Sequence, residues 1–111
     1  MKIEVTEQDI DAAVEALEKN LAPRNECCAV SQAVHRKRGV NFVTTGHYSL
    51  GVSRWSERQD HGQITWYDFP DRVQQFIRQF DRWTRWPEGE ERPKPISFEA
   101  KPVGEKNGVP L

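Results

Sequence analysis

Residues 69–83 read FPDRVQQFIRQFDRW, and this stretch decides the fold. Val73, Phe76, Ile77, Phe80 and Trp83 fall at i, i+3, i+4, i+7 and i+10, one apolar stripe at helical spacing. Gln74, Gln75, Arg78, Gln79 and Arg82 fill the opposite side. Pro70 suits the first helical turn, where a missing N–H costs nothing, and Asp71 sits against the positive end of the helix dipole. At the other end Trp86 precedes Pro87, which disfavours a helical Trp86 and removes the next donor. The spacing predicts a helix from Pro70 to Trp83. A helix so one-sided is marginal in water, so the rest of the chain must cover its stripe.

Immediately upstream the pattern changes period. Gln63 to Asp68 alternates as a strand, with Ile64 and Trp66 opposing Thr65 and Tyr67. Val40 to Thr45 is rich in β-formers, and Tyr48 to Val52 alternates Tyr48, Leu50 and Val52 with Ser49, Gly51 and Ser53. The two-residue break Gly46-His47 fits a type II′ hairpin with glycine first. Asp60-His61-Gly62 reads as a further turn. Nearer the start, Lys2 to Thr6 reads as a short strand with Ile3 and Val5 on one side. Thr6 then reads as an N-cap with Asp9 three positions on, before a helix carrying Ile10, Ala13, Val14, Leu17 and Leu21 on one face. Asn20-Leu21-Ala22-Pro23 ends it. A second helix is expected from Glu26 to Arg38, stopped by Gly39.

Beyond Trp86, PEGEERPKP is a polar connector, and Pro95 to Ala100 reads as a last strand with Ile96 and Phe98 on one side. The predicted architecture is a single small α+β domain over residues 1–100, followed by a loose tail over 101–111. Its order is β-α-α-β-β-β-α-β, with a mainly antiparallel sheet and helices packed on one face.

Four stretches carry a resemblance: IEVT (Ile3–Thr6), CAVSQAV (Cys28–Val34), FPDRVQQFIRQFD (Phe69–Asp81) and PISFEA (Pro95–Ala100). In this order the chain resembles a group of small uncharacterised phage- and prophage-encoded proteins. Those have an I-x-V-T strand, a C-P-V-A-L-A-like helix start, a β-hairpin, a helix of the form L-P-x-x-V-x-x-F-I-x-x-F-D and a final P-F-x-F-E strand. Ala29 stands where that pattern prefers proline, and Asn25 where it often has another cysteine. The resemblance implies a viral or prophage origin and supports the fold. It carries over no catalytic residue.

Composition narrows the activities. In 111 residues, 16 basic and 17 acidic side chains give a net charge of −1, with no global pull towards nucleic acid or an acidic membrane. No apolar run approaches a membrane span, and the opening MKIEVTEQDI lacks the apolar core of a signal peptide. The adjacent Cys27 and Cys28 form no disulfide framework and predict reduced thiols in a cytoplasmic setting, which the resemblance places in a host cell. A C-x-x-C spacing is absent, and Cys28 and His35 would lie about 10 Å apart along a helix, so no metal or cofactor is expected. Acid–base chemistry would require His47 and His61 to converge with a carboxylate such as Asp60. No G-x-S-x-G, P-loop, H-E-x-x-H or dinucleotide fingerprint appears, so no enzyme is indicated.

What stands out is the interleaving of cations with rings. Arg54-Trp55, Trp66-Tyr67 and Arg82-Trp83-Thr84-Arg85-Trp86 combine the side chains favoured as interface anchors. Trp66 and Trp83 are read as core residues, leaving Trp55 and Trp86 for the surface. The reading is a protein that binds another protein, a host factor or defence component, through Trp55, Trp86, Arg54 and Arg85. The alternative is a nucleic-acid-binding accessory protein using Arg36, Lys37 and Arg38, although a helix C-terminus alone accounts for cations there. An exposed edge strand offers a route to a homodimer.

Overall fold

The apolar stripe of residues 69–83 becomes the buried side of a helix in the computed structural model, which describes residues 1–54 and 64–103. That helix, α4 (Asp71–Arg85), buries Val73, Phe76, Ile77 and Phe80, with Trp83 half-buried beside them. Four such burials contribute on the order of 8 kcal/mol before the entropy of ordering is counted. The helix runs to Arg85 and ends at Trp86, whose φ of −135° and ψ of 69° are non-helical, as the following proline dictates.

Before α4 come β1 (Lys2–Val5), α1 (Glu7–Glu18), α2 (Arg24–Cys27), α3 (Ala29–His35), β2 (Val40–Thr45), β3 (Ser49–Arg54) and β4 (Thr65–Asp68). After it come β5 (Ile96–Glu99) and β6 (Lys101–Pro102). The chain is a single small α+β domain. Its strands form two antiparallel sheets rather than one: β1 with β5, and a four-stranded sheet in the order β2-β3-β4-β6. Ala100, between β5 and β6, is fully buried and donates its N–H to the Met1 carbonyl at 2.8 Å, joining the sheets.

The N-terminal helix forms as its sequence requires. The Thr6 N–H donates to Asp9 Oδ2 at 2.8 Å, and the Asp9 N–H donates to Thr6 Oγ1 at 3.2 Å, completing a capping box. Its other end closes as a Schellman turn: Asn20, at φ 54°, donates to Leu17, and Leu21 donates to Ala16. Leu21 therefore leaves the helix and is exposed, not part of its apolar face.

The helix expected over 26–38 is broken at Cys28, whose ψ of 168° is extended. The Cys28 N–H closes α2 on Arg24, and its carbonyl starts α3 by accepting from Gln32. Side chains satisfy the carbonyls that the break strands: Ser31 Oγ donates to the Asn25 carbonyl at 3.0 Å and Gln32 Nε2 to that of Cys27 at 3.3 Å. The last helix turn also comes early, at His35, and Gly39 at φ 83° instead turns the chain into β2.

The hairpin forms, but not with a type II′ turn. Thr45 pairs with Leu50 and the Gly46 N–H donates to Ser49, so His47 and Tyr48 are the central residues. Among the described residues only Asn20 and Gly39 have positive φ, so neither central residue adopts a primed-turn conformation. Tertiary contacts hold the turn in its place: the Phe69 N–H donates to the Tyr48 carbonyl at 3.0 Å, and both turn side chains lean on α4.

Val43, Leu50, Val52 and Tyr67 face the helices. The other face of the four-stranded sheet presents Phe42, Ile64 and Trp66 to solvent, and Trp66, 46% exposed, is not the core residue expected. It lies across Gly51, where a Cβ would come within 3.0 Å of the indole. The expected loose tail begins too early at residue 101, because Lys101 and Pro102 pair with Asp68 and Tyr67, and the Val103 N–H donates to the Trp66 carbonyl.

Candidate functional site

The polar side of α4 carries Arg78, Arg82 and Arg85 at i, i+4 and i+7, one exposed row of guanidinium groups. The hairpin turn stands against this row. Arg78 Nη2 donates to the Tyr48 hydroxyl at 3.3 Å and lies 5.8 Å from the centre of its ring. His47 Nε2 lies 3.2 Å from Asp81 Oδ2, while the other oxygen of Asp81 is 3.3 Å from Arg24 Nη1. Arg24 also donates to Thr84 Oγ1 at 2.7 Å, tying α2 to the end of α4.

Two adjoining clefts result, sharing His47, Asp81 and Arg85. The larger, of about 410 Å³, has Arg24, Cys28, Thr45 and Ile77 among its lining. The smaller, of about 210 Å³, is bounded by Arg78, Arg82 and Trp86. Arg82 pairs with Glu90 at 3.4 Å. No carboxylate among the described residues lies within ion-pair distance of Arg78 or Arg85. Trp86 closes the row with 62% of its surface exposed.

The structure thus brings Arg85 and Trp86 together with Arg82, and adds Arg24, His47, Tyr48, Arg78 and Asp81, which the sequence did not single out as partner contacts. The i, i+4, i+7 arginine spacing was present in the sequence as a signal; the packing of the hairpin turn against it was not. Arg54 does not join this surface. It pairs with Val40 at the far end of the hairpin, and its guanidinium donates to the Tyr67 hydroxyl at 3.0 Å. Trp55, His61 and Asp60 lie outside the described residues.

Arg36, Lys37 and Arg38 do not form a row of three available cations. Arg36 reaches across to Asp9, with Nε 3.0 Å from Oδ1 and Nη2 3.1 Å from Oδ2, and donates to the Glu4 carbonyl at 2.9 Å. Burial pushes the Asp9 carboxyl upward, but the Arg36 and Thr6 hydrogen bonds outweigh it and hold it below its usual value. Arg38 is exposed, and the half-buried Lys37 lines a groove with Lys2, Glu4 and Arg36.

Both cysteines are buried thiols. Burial foremost, with the neighbouring Cys28, pushes the Cys27 thiol up, which disfavours the nucleophilic thiolate. Cys28 Sγ lies 3.5 Å from the Ser31 hydroxyl, itself 2.7 Å from Thr45 Oγ1. Among the described residues no three His, Cys, Asp or Glu side chains converge to hold a metal, and no helix is long and apolar enough to cross a membrane. Comparison with protein-family models, curated proteins and solved structures gave no match.

Proposed function

We propose that this chain is a small non-enzymatic phage or prophage protein that binds another protein, a host factor or a defence component, in the host cytoplasm. The observation that carries the reading is Trp86, a large apolar ring left 62% exposed beside Arg85 at the end of the arginine row. Trp, Tyr and Arg are the side chains that most often anchor protein interfaces, and Trp86, Tyr48, Arg78 and Arg85 bring all three types to one surface. The viral origin rests on the resemblance in IEVT, CAVSQAV, FPDRVQQFIRQFD and PISFEA. A nucleic-acid role for Arg36, Lys37 and Arg38 has less support, since Arg36 is engaged by Asp9.

A tagged pull-down from host lysate, with and without nuclease, tests the reading. The expected result is a stoichiometric protein that survives nuclease and is lost with Trp86→Ala. A complex unchanged when Trp86 and Trp55 are both replaced by alanine refutes it.

A further inference from the structure

The arginine row states more than that a partner binds. Arg24, Arg78, Arg82 and Arg85 line the two clefts, against the carboxylates of Asp81 and Glu90, so this surface is locally cationic on a chain whose net charge is −1. Asp81 already serves Arg24 and His47, and Glu90 serves Arg82. Arg78 and Arg85 hold their positions without a carboxylate among the described residues; Arg78 is steered by the Tyr48 phenol. Beside them are the exposed Trp86 ring and, within the larger cleft, Ile77.

We infer that the partner offers this surface a short acidic segment, with carboxylates on Arg78 and Arg85 and an apolar side chain against Trp86. This rests on the reading of Trp86 and Arg85 as partner contacts. The dimensions fit. Seven residues of helix separate Arg78 from Arg85 by about 10 Å along the axis. An extended segment rises about 3.3 Å per residue and alternates its side chains, so carboxylates two or four residues apart share one face at about 7 or 13 Å, spacings that the long side chains of Arg78 and Arg85 can reach. Each arginine can meet a carboxylate with paired N–H donors.

The same surface is a poor track for a polynucleotide. A duplex carries one charge per about 1.7 Å and gains affinity by neutralising many phosphates in succession. Here the cationic stretch ends within a few residues, because Glu88, Glu90 and Glu91 follow Trp86. A short acidic peptide stops before those carboxylates; a long polyanion runs on into them.

The test selects peptides from a random display library on the full chain, wild type and with Arg78→Glu and Arg85→Glu combined. Enrichment is read by sequencing, and selected peptides are then titrated by fluorescence anisotropy. The wild type is expected to enrich segments rich in Asp and Glu with one apolar residue. The double reversal weakens those peptides at least about tenfold and instead enriches Lys and Arg, a gain that an unfolded variant could not produce. The inference is overturned by acidic peptides indifferent to the double reversal, by no enrichment, or by an oligonucleotide that binds the wild type more tightly than any selected peptide. Enrichment of uncharged peptides that Trp86→Ala abolishes also overturns it, while leaving the Trp86 surface standing as a protein contact.

Discussion

Replacing Arg36 with alanine should destabilise the fold by about 2–3 kcal/mol, whatever the partner. Asp9 is 4% exposed and ionised, and Arg36 supplies two charge-assisted hydrogen bonds to it. A fully dry ion pair broken on one side loses about 3–5 kcal/mol. The Arg36 side chain is 52% exposed, so water replaces part of what it supplied, and the Thr6 N–H still serves Asp9. Hydrogen bonds to charged groups are worth about 1.5–3 kcal/mol each, and discounting them for that exposure gives the lower figure. In a domain of this size each 1 kcal/mol shifts Tm by roughly 4–8 °C, so Tm should fall by about 8–24 °C. Urea denaturation of wild type, Arg36→Ala, Asp9→Asn and the double variant measures the coupling, expected at about 1–2 kcal/mol. The folded Asp9 carboxyl titrates below its unfolded value of about 3.9, so its contribution is full above that pH and fades as pH falls through the lowered folded value. A coupling near zero, or an Arg36→Ala protein as stable as wild type, would refute the claim that the basic cluster is structural at this position.

Two further outcomes follow from the local structure. Ser31→Ala should lose about 1–3 kcal/mol in chemical denaturation, because the buried hydroxyl serves the Asn25 carbonyl, Thr45 and Cys28 at the break between α2 and α3. Asn20→Val should lose about 1–2 kcal/mol in thermal melts while Asn20→Gly is neutral or stabilising, because residue 20 holds a positive φ that a β-branched side chain resists.

The parts of the fold legible in the sequence are those fixed by local chemistry. The stripe of Val73, Phe76, Ile77 and Phe80 needed only helical period, and Thr6 with Asp9 needed only the three-residue spacing of a capping box. What escaped depends on distant partners. Cys28 breaks its helix because Ser31 and Gln32 satisfy carbonyls upstream, an option no propensity encodes. Lys101 and Pro102 form a strand because the edge of β4 is there to receive them. Alternation correctly put Trp66 and Tyr67 on opposite faces, but not which face would be covered; Tyr67 pairs with Leu50 on the inside and Trp66 lies over Gly51 on the outside. The candidate site divides the same way. Arg85 and Trp86 could be read from their neighbours in sequence, whereas His47, Asp81 and Arg24 meet only once the hairpin and α2 pack on α4.

Trp86 is the side chain on which the functional account turns. Its exposed ring makes Trp86→Ala nearly neutral for folding, within about 0.5 kcal/mol. An anchoring tryptophan loses about 2 kcal/mol or more of binding when truncated, roughly thirtyfold in affinity. The most direct measurement is a nuclease-treated pull-down from host lysate with wild-type and Trp86→Ala chains side by side, their thermal melts recorded in parallel. Matching melts are expected, with a stoichiometric protein retained by the wild type but not by the variant. The same protein recovered in equal amount by both chains would contradict it.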